Sequence, residues 1–286
     1  MKLAVHYIDF LPGAPERLAP TLAATVTAAE DGGVEMFTLA DHFFQMENVG
    51  RAEDPFLEGY TTMGYLAALT ERITLAMLVT GVTYRHPGVL AKTMTTLDVL
   101  SGGRSMFGIG AAWYEREHHA LGIPYPPLKD RFEMLEETLQ IVQQMWSDDD
   151  GAYEGTHYQL AETICQPQPI RRPPILIGGS GEKKTLRMVA QYADVWNASS
   201  TLEELPHKLD VLRGHCDAVG RDIAEIQLTA GYFEDPFLDI DGYLRTLDRY
   251  AALGFQTMWT GPLPGNPDPA GWVKRLGDEV IPRLPS

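Results

Sequence analysis

The sequence predicts a closed α/β barrel of eight parallel strands, each followed by a helix. Three observations lead there. Short strand-like apolar segments alternate with segments of helical period along the whole chain, and the strand count reaches eight. Insertions fall between elements, where such barrels vary. No Gly-x-Gly-x-x-Gly follows the first strand, which disfavours the competing doubly wound open sheet. The 286 residues, 44% hydrophobic, suffice for one substantial core, so a single domain over 1–286 is expected.

The elements follow in order. Leu3 to Ile8 reads as the first strand, and a polar Pro/Gly loop leads into a helix with Leu18, Leu22, Val26 and Ala29 on one face. Pro20 sits early in that helix and Gly32-Gly33 ends it. Val34 to Leu39 is the second strand and Ile73 to Thr80 the third, with a helix from Tyr60 to Leu69 between them. Pro87 opens a helix whose inner stripe is Leu90, Thr93, Met94, Leu97 and Leu100, closed by Ser101-Gly102-Gly103. Arg104 to Ile109 is the fourth strand. Asp130 with Glu133 fits a capping pair for a long helix carrying Phe132, Leu135, Leu139, Val142 and Trp146. The alternation then pauses. Residues 147–174 predict an insertion between strands four and five: a hairpin over Tyr153 to Tyr158 and an arm carrying Pro167, Pro169, Pro173 and Pro174. Strands at Ile175–Ile177, Asp194–Asn197, Glu225–Ala230 and Gln256–Thr260 complete the eight, with helices from about Glu182, Glu203, Gly242 and Pro269.

The charge balance narrows the partners. Lys and Arg number 23 against 39 Asp and Glu, and the resulting net charge of -16 is spread through the chain. Non-specific binding to nucleic acid or to an anionic membrane is disfavoured. Cys165 and Cys216 lie far apart in no metal-like spacing and are expected as free thiols. Met1 to Phe10 runs directly into a strand without the apolar core of a signal peptide, and no stretch approaches 20 apolar residues. A cytoplasmic location is the expectation.

In a barrel the residues just after each strand meet at one face. Those are Asp41-His42, Thr80-Gly81-Val82, the run from Gly108 to Trp113, and Gly178-Gly179-Ser180-Gly181. Histidine exchanges protons near neutrality, and an adjacent carboxylate orients it or favours its charged form. The alternative is that Asp41 caps the next segment while His42 is a satisfied rim residue. Gly178 to Gly181 precedes a helix with Glu182, Lys183 and Lys184, so backbone N–H groups, the Ser180 hydroxyl and the helix dipole suit a phosphate; a plain flexible turn has the same letters. Gly108 and Gly110 admit the edge of a planar ring with Trp113-Tyr114 beside it, or mark a bulge next to a packing tryptophan. Glu115, Arg116, Glu117, His118 and His119 read as a solvated helix start, and no metal site is expected because neighbouring helical residues point apart.

Taken together, Asp41-His42, Val79-Thr80-Gly81 with Arg85-His86-Pro87, Gly102-Gly103-Arg104 through Glu117, and Pro174 through Gly181 resemble the luciferase-like superfamily, especially its coenzyme F420-dependent oxidoreductases. The resemblance covers nearly the whole chain. It implies a deazaflavin, or alternatively FMN, across the C-terminal face of the barrel. Asp41 and His42 would lie by the ring, and Val79, Thr80 and Gly81 would form an often cis non-proline peptide behind it. Gly110, Ala111 and Trp113 would flank ring and side chain, and Gly178, Gly179, Ser180 and Gly181 would bind the phosphate. In the sugar-phosphate dehydrogenases of the family an acidic residue follows the Gly-x-Gly of strand four, whereas this chain has Ala111. His42 is then the remaining proton donor or acceptor, with Asp41 as its orienter. The implied function is hydride transfer between F420 and a small organic substrate, in a homodimer. The alternatives are an FMN-dependent monooxygenase and a barrel that binds flavin without turnover.

Overall fold

The computed structural model of the chain describes residues 1–10 and 13–284, so part of the first Pro/Gly loop lies outside the described residues. The strands are β1 (Lys2–Tyr7), β2 (Met36–Leu39), β3 (Thr74–Met77), β4 (Thr80–Gly81), β5 (Ser105–Gly110), β6 (Tyr153–Glu154), β7 (Gln159–Leu160), β8 (Ile175–Gly178), β9 (Val195–Ala198), β10 (Gln227–Gly231) and β11 (Thr257–Thr260). The helices are α1 (Pro15–Asp31), α2 (Gly59–Leu69), α3 (Pro87–Ser101), α4 (Glu115–Leu121), α5 (Leu128–Met145), α6 (Thr185–Tyr192), α7 (Leu205–Val219), α8 (Ile240–Ala252) and α9 (Pro269–Arg275).

All pairings in the main sheet are parallel, and β11 pairs with β1 while β3 pairs with β5, which closes an eight-position barrel. The expected third strand is in fact two pieces. β3 and β4 both pair with β5, and between them the Leu78–Val79 peptide is cis. The insertion carries the antiparallel β6–β7 hairpin, and its arm contains a cis Gln166–Pro167 bond.

Several element ends shift by two or three residues from expectation, and two of the shifts bear on the helix starts. α5 starts at Leu128 after Pro127, so Asp130 lies inside the first turn and caps nothing. Proline with fixed φ suits a helix start, and it sets the boundary ahead of the Asp130/Glu133 pair. Likewise α6 begins at Thr185, after a turn over 182–184.

The period-2 alternation of strand side chains decides where space is left. The interior layer toward the N-terminal ends is filled by Ala4, Met36, Ala76, Met106, Leu176, Val195 and the fully buried Trp259. Two residues further along come His6, Thr38, Gly108, Gly178 and Asn197 on the same strands and Leu78 just past the end of β3. Gly178 of β8 and, further along β5, Gly110 leave that side of the mouth hollow, opposite a polar side made by β1 and β2. The second apolar cluster, between sheet and helices, includes Leu22, Val26, Phe37, Leu75, Leu90, Leu139 and Leu186. Among the described residues no helix is long and apolar enough to cross a membrane.

Candidate active site

The hollow side opens into a cavity of about 330 Å³ at the C-terminal strand ends. His42, Val79, Thr80, Gly81, Gly110, Ala111, Trp113, Gly178 and Gly179 all line it, so most of the residues singled out from the sequence meet there. Asp41, Ser180 and Gly181 are not on its wall. His6, Tyr84 and Asn197 are, although the sequence reading assigned them nothing.

The carboxylate that holds His42 is Glu117, not Asp41. His42 Nδ1 lies 2.6 Å from Glu117 Oε1, and the other oxygen, Oε2, accepts from Phe43 N at 2.8 Å and Phe44 N at 3.3 Å. The Tyr84 hydroxyl also donates to Glu117. Burial works against the Glu117 charge, but these donors together with His42 outweigh it and hold the carboxyl below its ordinary pKa. An ionised Glu117 accepts only, which assigns the proton on His42 to Nδ1 and leaves Nε2 as the second ring nitrogen of a residue on the cavity wall.

Glu117 and its neighbour His118 are fully buried, against the expectation of a solvated helix start, while Glu115, Arg116 and His119 are exposed as expected. His118 contacts Thr83 Oγ1 at 2.6 Å through Nε2 and the Tyr114 carbonyl at 2.7 Å through Nδ1, and burial lowers its pKa. The signal available in the sequence was spacing: Tyr114, Glu117 and His118 stand three and four residues apart on one helical face, and Tyr114 is buried.

Asp41 is fully buried and spends both oxygens on Arg85, at 2.6 Å from Nη1 and 3.1 Å from Nη2. Arg85 also reaches Glu58, whose carboxylate caps α2 through Tyr60 N and Thr61 N, and its guanidinium lies 4.5 Å from the Tyr60 ring centre. Burial disfavours the Arg85 charge, yet Asp41 raises its pKa overall. The pair therefore ties the end of β2 to the loop after β4 and to α2.

Around β8 the turn is fixed from below. Trp196 Nε1 donates to the Gly179 carbonyl at 2.7 Å, Gly179 N donates to the Asn197 carbonyl at 3.0 Å, and Gly179 adopts φ +111, which favours glycine. Ser180 Oγ accepts from Ser199 N at 2.9 Å, so the hydroxyl proton remains available. His215 Nε2 meets the Glu182 carbonyl at 2.8 Å and Lys208 Nζ meets the Glu182 carboxylate at 2.6 Å, which locks the turn leading into α6. Among the described residues no group of three or more His, Cys, Asp or Glu could hold a metal ion.

Comparison with known proteins bears on the fold and the family. The family described as luciferase-like monooxygenase matches residues 10–233. An uncharacterized protein of Mycobacterium tuberculosis is 30% identical over 226 residues, covering 78% of this chain and 76% of its own length. An F420-dependent glucose-6-phosphate dehydrogenase of Microbacterium testaceum is 32% identical over 174 residues, covering 60% of this chain and 50% of its own. Among solved structures, an F420-dependent secondary alcohol dehydrogenase in complex with an F420-acetone adduct superposes with a TM-score of 0.82 at 15% identity, covering 100% of both chains. The coenzyme F420 dependent tetrahydromethanopterin reductase of Methanopyrus kandleri has a TM-score of 0.80 at 16% identity, covering 99% of each chain. At such identities the likeness is one of fold. The family match over most of the sequence carries the assignment: the chain belongs to the luciferase-like monooxygenase family.

Proposed function

We propose that the chain is an F420-dependent oxidoreductase that moves a hydride between the deazaflavin and a small organic substrate while His42 exchanges the accompanying proton. The observation that carries the reading is the His42–Glu117 pair, 2.6 Å apart, facing a slot walled by glycine.

The residues fit a flat ring. A side chain at Gly110 would stand 3.0 Å from Val79 Cγ2 and one at Gly178 3.3 Å from Val79 Cγ1, so the slot exists because both positions lack a Cβ. Val79, Thr80 and Gly81 would support the ring from one side, with Gly110, Ala111 and Trp113 at its edge, and Gly178 and Gly179 close against it. Ser180, Gly181 and the N-terminus of α6 would hold the phosphate. Bound there, the deazaflavin supplies the carbon that takes or gives the hydride. The protein's own task is proton handling. Glu117 holds the Nδ1–H of His42 and so turns Nε2 to the cavity, where it can accept a proton from a substrate hydroxyl or return one to a carbonyl oxygen. Asp41 serves this site as a positioning residue through Arg85, without touching the cavity. The relatives that act with F420 support the cofactor choice.

Titration of purified protein with F420 and with FMN, followed by absorbance and by the mass of what stays bound, tests the reading. F420 is expected to bind. Binding of FMN alone would overturn the reading and favour the monooxygenase alternative, and tight F420 binding with no turnover of any reducible compound would favour a carrier. His42→Ala should retain F420 affinity and slow turnover roughly a hundredfold or more.

A further inference from the structure

Resting on the functional reading above, the geometry points to His6 as a specificity-determining residue: its Nε2 accepts a hydrogen bond from a neutral donor, a hydroxyl or N–H, carried by the substrate beside its reacting carbon. The argument begins with the backbone. His6 stands at the C-terminal end of β1, points into the barrel in register with Thr38 of β2, and lines the same cavity as His42. Its proton can be placed. Thr38 Oγ1 donates its only hydrogen to the Val5 carbonyl at 3.2 Å, so at 3.0 Å from His6 Nδ1 it can only accept, and Nδ1 carries the hydrogen. Nε2 is left as a lone-pair acceptor.

The two cavity imidazoles therefore differ. His42 has the Glu117 carboxylate behind it, whereas the partners of His6, the side chain and backbone of Thr38, are neutral. Burial, with His42 nearby, lowers the His6 pKa to about 3, so it stays neutral in the working pH range. A fixed acceptor of this kind rewards a donor and leaves an unpaired lone pair when none arrives, which is how polar sites discriminate strongly between close analogues. Charge points the same way. Among the described residues lining the cavity there is no lysine or arginine, so a phosphorylated substrate would find no cationic side chain to receive it. The Phe233 ring, 6.2 Å from that of His6, gives the imidazole an apolar neighbour. The substrate class is a small uncharged molecule with a reacting oxygen for His42 and a neighbouring hydroxyl or N–H for His6.

The test measures binding of trans-cyclohexane-1,2-diol, cyclohexanol and glucose 6-phosphate to the F420-loaded protein, in the wild type and in His6→Phe and His6→Gln. The diol should bind about tenfold more tightly than cyclohexanol, the ratio should fall to about one in His6→Phe, and His6→Gln, which keeps an acceptor, should recover part of it. An equal ratio in the wild type, a ratio unchanged in His6→Phe, or preference for glucose 6-phosphate would overturn the inference. Ring-¹⁵N spectra of the cofactor-free chain provide an arm independent of F420. Nε2 should appear unprotonated from pH 5 to 8 and respond to the diol; a protonated ring or an Nε2–H tautomer would sink the proposal even if F420 binds. Failure of F420 to bind, with the His6 spectra as expected, would remove the cofactor reading alone.

Discussion

Glu117 is where charge, burial and chemistry meet. A fully buried carboxylate persists as an anion because hydrogen bonds and an imidazole converge on it, and removing its charge leaves those donors facing a neutral group. Glu117→Gln should keep the ring of His42 in place through the amide oxygen while turning an NH₂ toward the Phe43 and Phe44 amides. The expected result is a loss of about 1–3 kcal/mol in stability, read by urea denaturation, with turnover down roughly a hundredfold and F420 affinity little changed. Because the folded pKa of Glu117 lies below its ordinary value, its stabilisation is full above about pH 4.5 and is lost as pH falls through the folded pKa. His6 acts in a different window. Its folded pKa of about 3 lies below the ordinary 6.5, so between these values the unfolded chain binds the extra proton and stability declines as pH falls. At pH 5 the burial of a neutral His6 should cost about 2 kcal/mol relative to pH 7, and His6→Phe should lose less stability than the wild type over that interval.

At the scale of elements, the glycines of β5 set two distances: Gly108 how closely β3 approaches, and Gly110 how wide the slot is. A Cβ at Gly108 would collide with the Met77 carbonyl, a backbone atom that cannot step aside without moving β3. Gly108→Ala should therefore cost about 3 kcal/mol or abolish soluble expression, visible as a fall in Tm. At Gly110 the obstacle is only the Val79 methyl at 3.0 Å, so Gly110→Ala should fold and bind F420 about tenfold more weakly by titration. The alternation that makes these elements was legible in the sequence, because periods of two and 3.6 residues are local properties. The break in strand three was not legible from periodicity: Ile73 to Thr80 is one apolar run, and only the family resemblance pointed to a cis bond there, expected within Val79 to Gly81 and found between Leu78 and Val79. Glu117 escaped for the complementary reason. Its charged neighbours describe a solvated helix, while its burial depends on docking against Phe43 and Phe44, 74 and 73 residues earlier in the chain. Asp41-His42 was legible as a pair at a strand end, but which carboxylate serves the histidine is decided by Arg85 and Glu117, which no local pattern relates to it.

At the scale of the whole molecule, closure of β11 onto β1 brings the two polar walls of the site together. One comes from the first strands and the other from residues beyond 178, so the cavity exists only when the ring is complete. The chain as a whole carries a formal net charge of -16. The anionic ligand proposed for the α6 turn would cross that field before it met the local amides and Lys183 and Lys184. At 0.01 M salt the Debye length is about 30 Å, so the approaching anion feels most of the molecule, whereas at 0.15 M it is about 8 Å and only nearby groups count. Repulsion by the distant carboxylates is therefore screened before attraction at the cradle. Stopped-flow association of F420 should accelerate several-fold between those salt concentrations, with dissociation changing much less. A rate that falls instead would mean that the lysines at the α6 turn dominate the approach, and Lys183→Gln would then remove the salt dependence.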